Sequence, residues 1–452
     1  MKPSLTSIGE IALGSHHAHA INIVKTTGGF ARLGFDVTLL CREPHNISTQ
    51  SESSIAAALA SYGEPFLRVV LETQTASHTP GLTTPPINVS VDHLDAASRK
   101  LGLWAARHTK ERAADCAYAR HFHAGLACAE LGIPVAIETH AHKGDPRAIL
   151  DETFAATRRP VGSSPAQRGV AAIITINQSL RKHYIARGAH PDRVHVVPDG
   201  VDTELFSRPK HIATDATSPT KLLTRDIATT NQLNAVYAGS LAAYKGIGTI
   251  LACAAVRPNI NFHLLGGNRV DQSRVHAMID QLGLRNVHIQ GRVSHANVPP
   301  YLWAADVLLL PPSGKDPSAQ WTSPVKLAEY FAAQRPIVAS RIPGLMSWAD
   351  DSVVQWFEPD DASDMARALD AALNETGRER VVRNIKAITL AETYSYERRA
   401  QQILATLGIA LDGSRLASPI TPAHALAPSH THPLEDLPNT QRLRAAAGRR
   451  SA

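Results

Sequence analysis

The chain has 452 residues, of which 44% are hydrophobic and 19% are charged, and its formal net charge is +6. This length allows two or three domains that each bury a core, and the composition excludes a wholly disordered or fibrous protein. The mild positive charge comes without a dense basic stripe interleaved with aromatic residues, so the sequence does not indicate a nucleic-acid partner.

Cysteine usage and hydropathy predict a cytoplasmic protein. The four cysteines are scattered and form no C-x-x-C pair, which favours free thiols in a reducing compartment. No run of about 18 apolar residues occurs, so no membrane span is expected. Glu10 interrupts the only N-terminal stretch that could serve as the core of a signal peptide.

The first half of the chain alternates between strand-like and helical runs, which predicts an α/β domain with a parallel sheet. The first unit is a strand at residues 7–13, a glycine- and histidine-containing loop, a helix that ends at Gly34, and the strand DVTLLC. Gly28 and Gly29 lie inside this helix, where each costs roughly 1 kcal/mol of helix propensity. They indicate close backbone packing, with a ligand that approaches the helix as the alternative.

Two further features of the first half bear on function. The basic helix predicted at residues 95–112 is interpreted as an ordinary helix with a solvated face. Contact with an anionic surface at the inner face of the membrane is the alternative. A buried strand follows Pro134 and ends near His140, and ligands of open α/β sheets bind at the carboxyl ends of strands. His140 is therefore a candidate site residue, with a structural histidine as the alternative.

The second half repeats the alternation after a connection at residues 207–232 that lacks periodicity. GSLAAYKG places a glycine turn and Lys245 at the end of the first strand of this half. Glycines let the backbone approach a phosphate, and the lysine supplies a flexible cation. Gly266 lies in a second strand-end turn, but the G-x-G-x-x-G fingerprint of dinucleotide-binding proteins is missing.

The stretch Trp321–Ser340 predicts a helix whose start suits a phosphate. Ser323 is a good N-cap and Pro324 suits the first helical position, so free backbone N–H groups would face an anion. Glu329, one turn further on, could accept hydrogen bonds from two neighbouring hydroxyls. Phosphate together with a diol describes a nucleotide sugar. The alternative for Glu329 is a surface salt bridge with Lys326.

The same helix is expected to bury one apolar stripe. Leu327 and Phe331 are four residues apart and belong to this stripe. Lys326, Glu329 and Tyr330 are expected to lie off it. Beyond this region, the acidic start at residues 360–364 predicts another helix, and helices continue to about residue 407.

Five motifs in this order resemble the retaining family-four glycosyltransferases of the GT-B architecture, also called group 1 glycosyltransferases. The motifs are GSLAAYKG, HLLGG, VPPYLWAADVLLLP, TSPVKLAEYFAAQRPIVAS and, in the first half, IITINQSLRKHYIARGAHPDRVHVVPDGVDTELF. The resemblance covers about residues 7–407. It implies an α/β protein with two facing Rossmann-like domains and a cleft between them.

The expected domain organisation follows from this resemblance and from the composition. Residues 1–206 form the acceptor domain, 207–232 the connection and 233–390 the nucleotide-sugar donor domain. Residues 391–411 form a helix that crosses back to the first domain. Residues 412–452 are rich in Pro, His, Ala and Ser and are expected to be disordered, with metal binding by the histidines as an alternative.

The resemblance implies a hexosyltransferase-type enzyme of polysaccharide biosynthesis. It would move a sugar from a nucleotide-sugar donor to a hydroxyl of a glycan or lipid-linked acceptor, with retention of anomeric configuration and without a metal or another cofactor. By similarity, the catalytic residues are His140, Lys245 and Glu329. The donor-binding residues are Gly239, Ser240, Lys245, Gly266, Thr322, Ser323, Pro324, Lys326 and Glu329. The acceptor-binding residues are Gly14, Ser15 and His16.

Two positions depart from the family pattern and keep alternatives open. Trp321 stands where the family often has a second glutamate, and Ser240 stands where it commonly has an arginine. Arg292 or Lys326 could supply the missing charge. A nucleotide-sugar epimerase of the same fold and a binding protein that has lost transfer are the alternatives to a glycosyltransferase. An oxidoreductase is disfavoured by the missing glycine fingerprint.

Overall fold

A computed structural model describes residues 2–13, 18–42, 52–72, 91–140, 147–162, 164, 167–209, 232–320 and 325–409. These residues form two parallel β-sheets with helices between the strands, so the predicted α/β class is confirmed. The predicted tail at residues 412–452 and most of the connection lie outside the described residues.

Within the described ranges, the first sheet has seven strands. They are β1 (Ser4–Ala12), β2 (Asp36–Arg42), β3 (Arg68–Glu72), β4 (Cys116–Arg120), β5 (Val135–Glu138), β6 (Ala172–Thr175) and β7 (Val194–Val196). Their spatial order is β3-β2-β1-β4-β5-β6-β7, and every neighbouring pair is parallel. The α-helices of this half are α1 (Ala18–Arg32), α2 (Glu52–Ser61), α3 (Val91–Glu111), α4 (Phe122–Glu130), α5 (Arg147–Ala156), α6 (Gln178–Ala186) and α7 (Thr203–Phe206).

The second sheet has six strands among the residues that the structure describes. They are β8 (Leu233–Gly239), β9 (Ile260–Gly266), β10 (Val287–Gly291), β11 (Val307–Leu310), β12 (Ile337–Ser340) and β13 (Gln355–Phe357). Their order is β10-β9-β8-β11-β12-β13, again all parallel. The α-helices are α8 (Ile247–Val256), α9 (Arg269–Gln281), α10 (Val298–Ala304), α11 (Val325–Ala333), α12 (Pro343–Met346), α13 (Ala362–Leu373), α14 (Gly377–Thr393) and α15 (Tyr396–Thr406).

The strands read as continuous apolar runs because helices cover both faces of each sheet. β11, with the sequence VLLL, and β12, with IVAS, are buried at every position. Separate clusters of buried side chains lie on the two faces of the second sheet. The chain reverses at the carboxyl end of each strand, so the loops at that edge of each sheet are free to carry a site.

The last helix, α15, packs against α1 of the first half. Ser395 caps the start of α15 by accepting a hydrogen bond from the backbone N–H of Arg398. Gly29 allows the close approach, because a Cβ atom at this position would lie 2.6 Å from the backbone oxygen of Tyr396. At Gly28 a Cβ atom would lie 2.1 Å from a carboxylate oxygen of Glu64. Close packing is thus the correct interpretation of this glycine pair.

The prediction that one polar face of α11 stays off the core is wrong for Glu329 and Tyr330. Every residue from Leu327 to Ala333 is buried. The helix lies on the second sheet and is covered on its other sides by α7 and α14, so little of its circumference meets water. The Tyr330 hydroxyl is satisfied inside, since it donates to the backbone oxygen of Leu309 (3.2 Å) and accepts from the backbone N–H of Ala238 (3.2 Å).

The basic helix α3 packs against α4 through part of its surface. Leu101 is buried, whereas Leu103 is 54% exposed. Trp104 is partly buried against the core of the first half. Among the residues that the structure describes, no helix has both the length and the apolar character needed to cross a membrane.

Candidate functional site

The ends of β8 and β9 form a glycine-lined floor at the carboxyl edge of the second sheet. The backbone N–H of Gly267 donates to the oxygen of Gly239 at 3.1 Å. Gly266 has φ 115°, and a Cβ atom there would lie 2.2 Å from that same oxygen. Ser240 continues the turn, and its backbone oxygen accepts a hydrogen bond from the Tyr237 hydroxyl at 2.7 Å. The two strand ends approach this closely because Gly239 and Gly266 lack Cβ atoms, and both residues are partly exposed at the edge of the sheet.

Two lysines approach this floor. Lys245 ends a short 3-10 turn after β8, and the side chain of Lys326 on α11 reaches Gly239, where Nζ would lie 3.1 Å from a Cβ atom. Burial and the neighbouring Lys326 lower the pKa of Lys245 to about 8. Lys326 is thus the second cation near Lys245. Arg292, the other candidate for that charge, is exposed.

Glu329 is 8% exposed and is paired with His295 rather than with Lys326. The distance between His295 Nε2 and Glu329 Oε1 is 3.0 Å. The surface salt bridge between Glu329 and Lys326 is therefore not what the structure contains. His295 follows β10, and its ring lies against Phe206 with a centroid distance of 5.1 Å. In the described part of the chain, the other oxygen of Glu329 forms no hydrogen bond and can serve a ligand.

The sequence prediction missed His295. The residue belongs to the stretch GRVSHANVPP, which follows a strand end as the other predicted site segments do. This position at the carboxyl edge of the sheet was the feature of the sequence that could have identified His295 as a candidate site residue.

At the carboxyl end of β5, both ring nitrogens of His140 are occupied. Nδ1 lies 3.0 Å from Arg120 Nη2, and Nε2 lies 2.6 Å from Glu138 Oε1. A guanidinium group can only donate, so Nδ1 accepts and Nε2 carries the proton that is donated to Glu138. In this arrangement neither nitrogen is free to act as a base. His140 is therefore held as an oriented neutral ring, with its side chain 24% exposed.

Glu138 is the centre of a buried ionic network. Its Oε2 accepts from the hydroxyl of Tyr118 and from Nη2 of Arg399, and Arg120 Nε lies 3.6 Å from its Oε1. Burial alone would raise the pKa of Glu138. The charges of Arg399 and Arg120 and the bond from His140 outweigh burial and hold that pKa far below its ordinary value.

Glu138, His140 and Asp199 present ligand atoms within 4.8 Å of one another, the one such group of three among the described residues. Their charge balance nevertheless opposes a divalent cation. Glu138 already faces the guanidinium groups of Arg399 and Arg120, and the Oδ1 atom of Asp199 accepts from the amide of Asn22. Three groups with these partners fit an internal network better than a metal centre.

Tyr396 connects the two halves of the site. Its side chain is buried at the start of α15, and burial together with the charges of Asp199, Glu329 and Asp202 raises its pKa well above the ordinary value. Asp199 Oδ1 lies 3.7 Å from His140 Nε2. Tyr396 is thus close enough to Asp199 of the first half and to Glu329 of the second half for both charges to affect its pKa.

A cavity of about 640 Å³ opens beside Tyr396 and His295. Its lining combines residues of α1 and α2 with the segments that contain Asp202 and His295. On its first-half wall, Lys25 Nζ lies 2.5 Å from Asp202 Oδ2.

The remaining predicted residues lie outside the described part. These are Gly14, Ser15 and His16 of the acceptor loop, and Thr322, Ser323 and Pro324 of the helix start. Their roles stay predictions. Among the described candidates, the structure brings Gly239, Gly266, Lys245 and Lys326 to one strand edge. Glu329 lies one turn along α11 from Lys326.

Two parallel sheets of this strand order, with residues of both halves around a shared site, define the GT-B class of protein. Residues 23–205 match the family model described as Glycosyltransferase Family 4, and residues 232–375 match the one described as Glycosyl transferases group 1. Each half of the chain is therefore similar to a glycosyltransferase domain.

Individual relatives agree with this class. Anabaena HepE, solved in complex with UDP and glucose, has a TM-score of 0.63 at 15% identity, covering 90% of this chain and 99% of that chain. A glycosyltransferase from Rickettsia africae has a TM-score of 0.63 at 13% identity, covering 90% of this chain and 100% of that chain. At these identities the solved structures show the fold alone.

One curated relative is the D-inositol 3-phosphate glycosyltransferase of Xylanimonas cellulosilytica. It is 29% identical over 171 residues, which are 37% of this chain and 39% of the relative. The match thus spans less than half of that protein. The predicted GT-B fold and the resemblance to glycosyltransferases are confirmed.

Proposed function

We propose that this protein is a retaining, metal-independent glycosyltransferase. It moves a hexose from a nucleotide-sugar donor to a hydroxyl of a glycan or lipid-linked acceptor. The observation that carries the proposal is the placement of Lys245 and Lys326 at the glycine floor, with the carboxylate of Glu329 one helical turn away. Two ammonium groups suit a diphosphate, and a carboxylate with one open oxygen suits the ribose hydroxyls.

Uridine diphosphate is the first nucleotide to test. HepE, which shares the fold, has been solved with UDP, with UDP and glucose, and with UDP-glucose. In this chain the diphosphate would lie over Gly239 and Gly266, within reach of Lys245 and Lys326. The backbone N–H groups of Thr322 and Ser323 would add donors just before α11.

The chemistry requires stabilisation of a leaving group rather than a protein base. As the bond between the anomeric carbon and the diphosphate oxygen breaks, negative charge grows on the diphosphate, where Lys245 and Lys326 are already oriented. The acceptor oxygen bonds to the anomeric carbon on the same face, and its proton passes to the departing phosphate oxygen. The occupied ring nitrogens of His140 are compatible with this scheme, because His140 does not accept a proton in any of its steps.

Nucleotide binding tests the donor assignment. Titration calorimetry with UDP would compare the wild type with Lys245→Met and Glu329→Ala, each expected to weaken binding about tenfold or more. Lys386→Met and Glu392→Ala change exposed residues of α14 and serve as matched controls that should bind as the wild type does. If neither UDP nor another nucleoside diphosphate binds the wild type, the donor assignment is wrong.

Transfer itself separates the remaining alternatives. Donor consumption that depends on an added acceptor, with a product of the donor's anomeric configuration by NMR, supports a retaining transferase. Conversion of the donor sugar without any acceptor would instead indicate an epimerase. Binding without turnover across a panel of glycan and lipid-linked acceptors would favour a binding protein that has lost transfer.

A further inference from the structure

Arg399 follows the second sheet in the chain but is buried in the first half. It lies on α15, which packs against α1 through Ala400, Ile403 and Leu404. The residue is 2% exposed. The return of the chain therefore places a cation beneath the strand ends that carry His140.

The guanidinium group of Arg399 bonds to three segments of the first half. Nε lies 3.1 Å from the Thr26 hydroxyl on α1, and Nη1 donates to the backbone oxygen of Val197 at 2.9 Å and to that of Pro198. Nη2 donates to the carboxylate of Glu138. Burial opposes the charge of Arg399, but Glu138 and its neighbours raise the pKa of Arg399 above its ordinary value. Arg399 is thus the main countercharge of Glu138.

Removal of Arg399 would leave Glu138 as a buried carboxylate with an inadequate countercharge. Arg120 Nε is 3.6 Å away, and Arg120 also bonds to His140. The remaining neighbours, Tyr118, His140 and Asp199, are not permanent cations. A buried carboxylate without its pair takes a proton or turns toward another donor. Protonation makes Glu138 Oε1 a weaker acceptor and rotation moves it, so in either case the Nε2 proton of His140 loses its strong, fixed acceptor.

We propose that Arg399 is a positioning residue that acts through Glu138 to fix the ring orientation and the Nε2–H tautomer of His140. The role of His140 in sugar transfer rests on the proposed function, whereas its orientation does not. A residue that follows the second sheet in the chain thereby orders the side chains at the end of β5 in the first half.

NMR of the full-length protein labelled with ¹⁵N at histidine tests this without a substrate. Signals of His140 are identified by their loss in His140→Gln, and the wild type should show the neutral Nε2-protonated tautomer. Arg399→Met should replace this signature by tautomer exchange or by the other tautomer. Arg383→Met is the matched control, because Arg383 is a buried arginine paired with Glu375 (Nε to Oε1 2.7 Å) in the second half. It should leave His140 unchanged.

The proposal is overturned if folded Arg399→Met retains the wild-type signals of His140. If that variant does not fold, Arg399→Gln decides in the same way, since it removes the charge that faces Glu138 but keeps a polar side chain. Kinetics supply a second readout, with kcat expected to fall at least tenfold while the donor KM stays within about threefold. If the wild type binds no nucleotide, the proposed function is wrong. The NMR experiment would still test whether Arg399 orients His140.

Discussion

His295 Nε2 lies 3.0 Å from Glu329 Oε1, and this contact joins the loop after β10 to the middle of α11. The two residues are 34 positions apart in the chain. Because the histidine takes one carboxylate oxygen, the orientation of the other oxygen is fixed before any ligand arrives. Such preorganisation reduces the side-chain entropy that Glu329 would lose on binding the proposed ribose diol.

Replacement of His295 by alanine should weaken UDP binding about tenfold, which corresponds to about 1.4 kcal/mol. Glu329 would keep its charge but lose the bond that orients it. Titration calorimetry measures the change. His276→Ala removes an exposed histidine of α9 and should bind UDP normally. Equal affinity of His295→Ala and the wild type would show that the contact does not orient Glu329 for the nucleotide.

Binding of a diphosphate should become proton-linked above about pH 8. The pKa of Lys245 is lowered to about 8 by burial and by Lys326, so the free protein loses this charge as the pH rises through that value. A bound diphosphate favours the ammonium form and raises the pKa again. UDP binding should therefore take up a proton above pH 8 and little below it, and UDP affinity should fall as the pH rises.

Calorimetry of UDP binding in buffers of different ionisation enthalpy measures this proton uptake. Lys245→Met should abolish the pH-dependent part, and Lys386→Met should keep it. Identical proton uptake in Lys245→Met and the wild type would assign the linkage to another group.

Gly246→Ala should destabilise the fold by roughly 2 kcal/mol or more. Gly246 has φ 76°, and a Cβ atom there would lie 1.6 Å from the backbone oxygen of Pro311. Gly248→Ala is the control two residues away in α8, where a Cβ atom meets nothing within 4 Å. It should be neutral or stabilising by up to about 1 kcal/mol. Thermal unfolding of both variants measures the difference, and equal melting temperatures would contradict the prediction.

Sugar transfer should survive removal of divalent metal. Glu138, His140 and Asp199 already bond to one another or to protein cations and amides, and the proposed leaving-group stabilisation uses lysines. Activity after dialysis against EDTA should equal that before dialysis, and added Mn²⁺ or Mg²⁺ should not raise it. A loss of transfer that Mn²⁺ reverses would replace the lysine mechanism by one that needs a metal.

The fold was largely predictable because buried parallel strands appear in the sequence as short apolar runs. VLLL of β11 is such a run, and the glycine turn before Lys245 marked the strand edge where a ligand would bind. The polar face assigned to α11 was wrong for a different reason. Periodicity reports one buried side of a helix, but it does not reveal that α7 and α14 cover the other sides.

The partners of the candidate residues could not be predicted from local spacing. The salt-bridge partner considered for Glu329 from its spacing was Lys326, three residues away, yet the structure pairs Glu329 with His295. Arg399 and Glu138 are 261 positions apart, and nothing near either residue indicates the other. Ion pairs of this kind depend on how the chain returns through the fold, which short motifs do not encode.

The return of α15 also determines when the first half can finish folding during synthesis. Ile403 and Leu404 complete the cluster of buried side chains around Phe30, and Arg399 completes the charge balance of Glu138. At roughly 5–20 residues per second, the ribosome would need on the order of 10–40 s to pass from the first sheet to these residues. A nascent first half would thus keep this apolar face of α1 uncovered until α15 has left the ribosome.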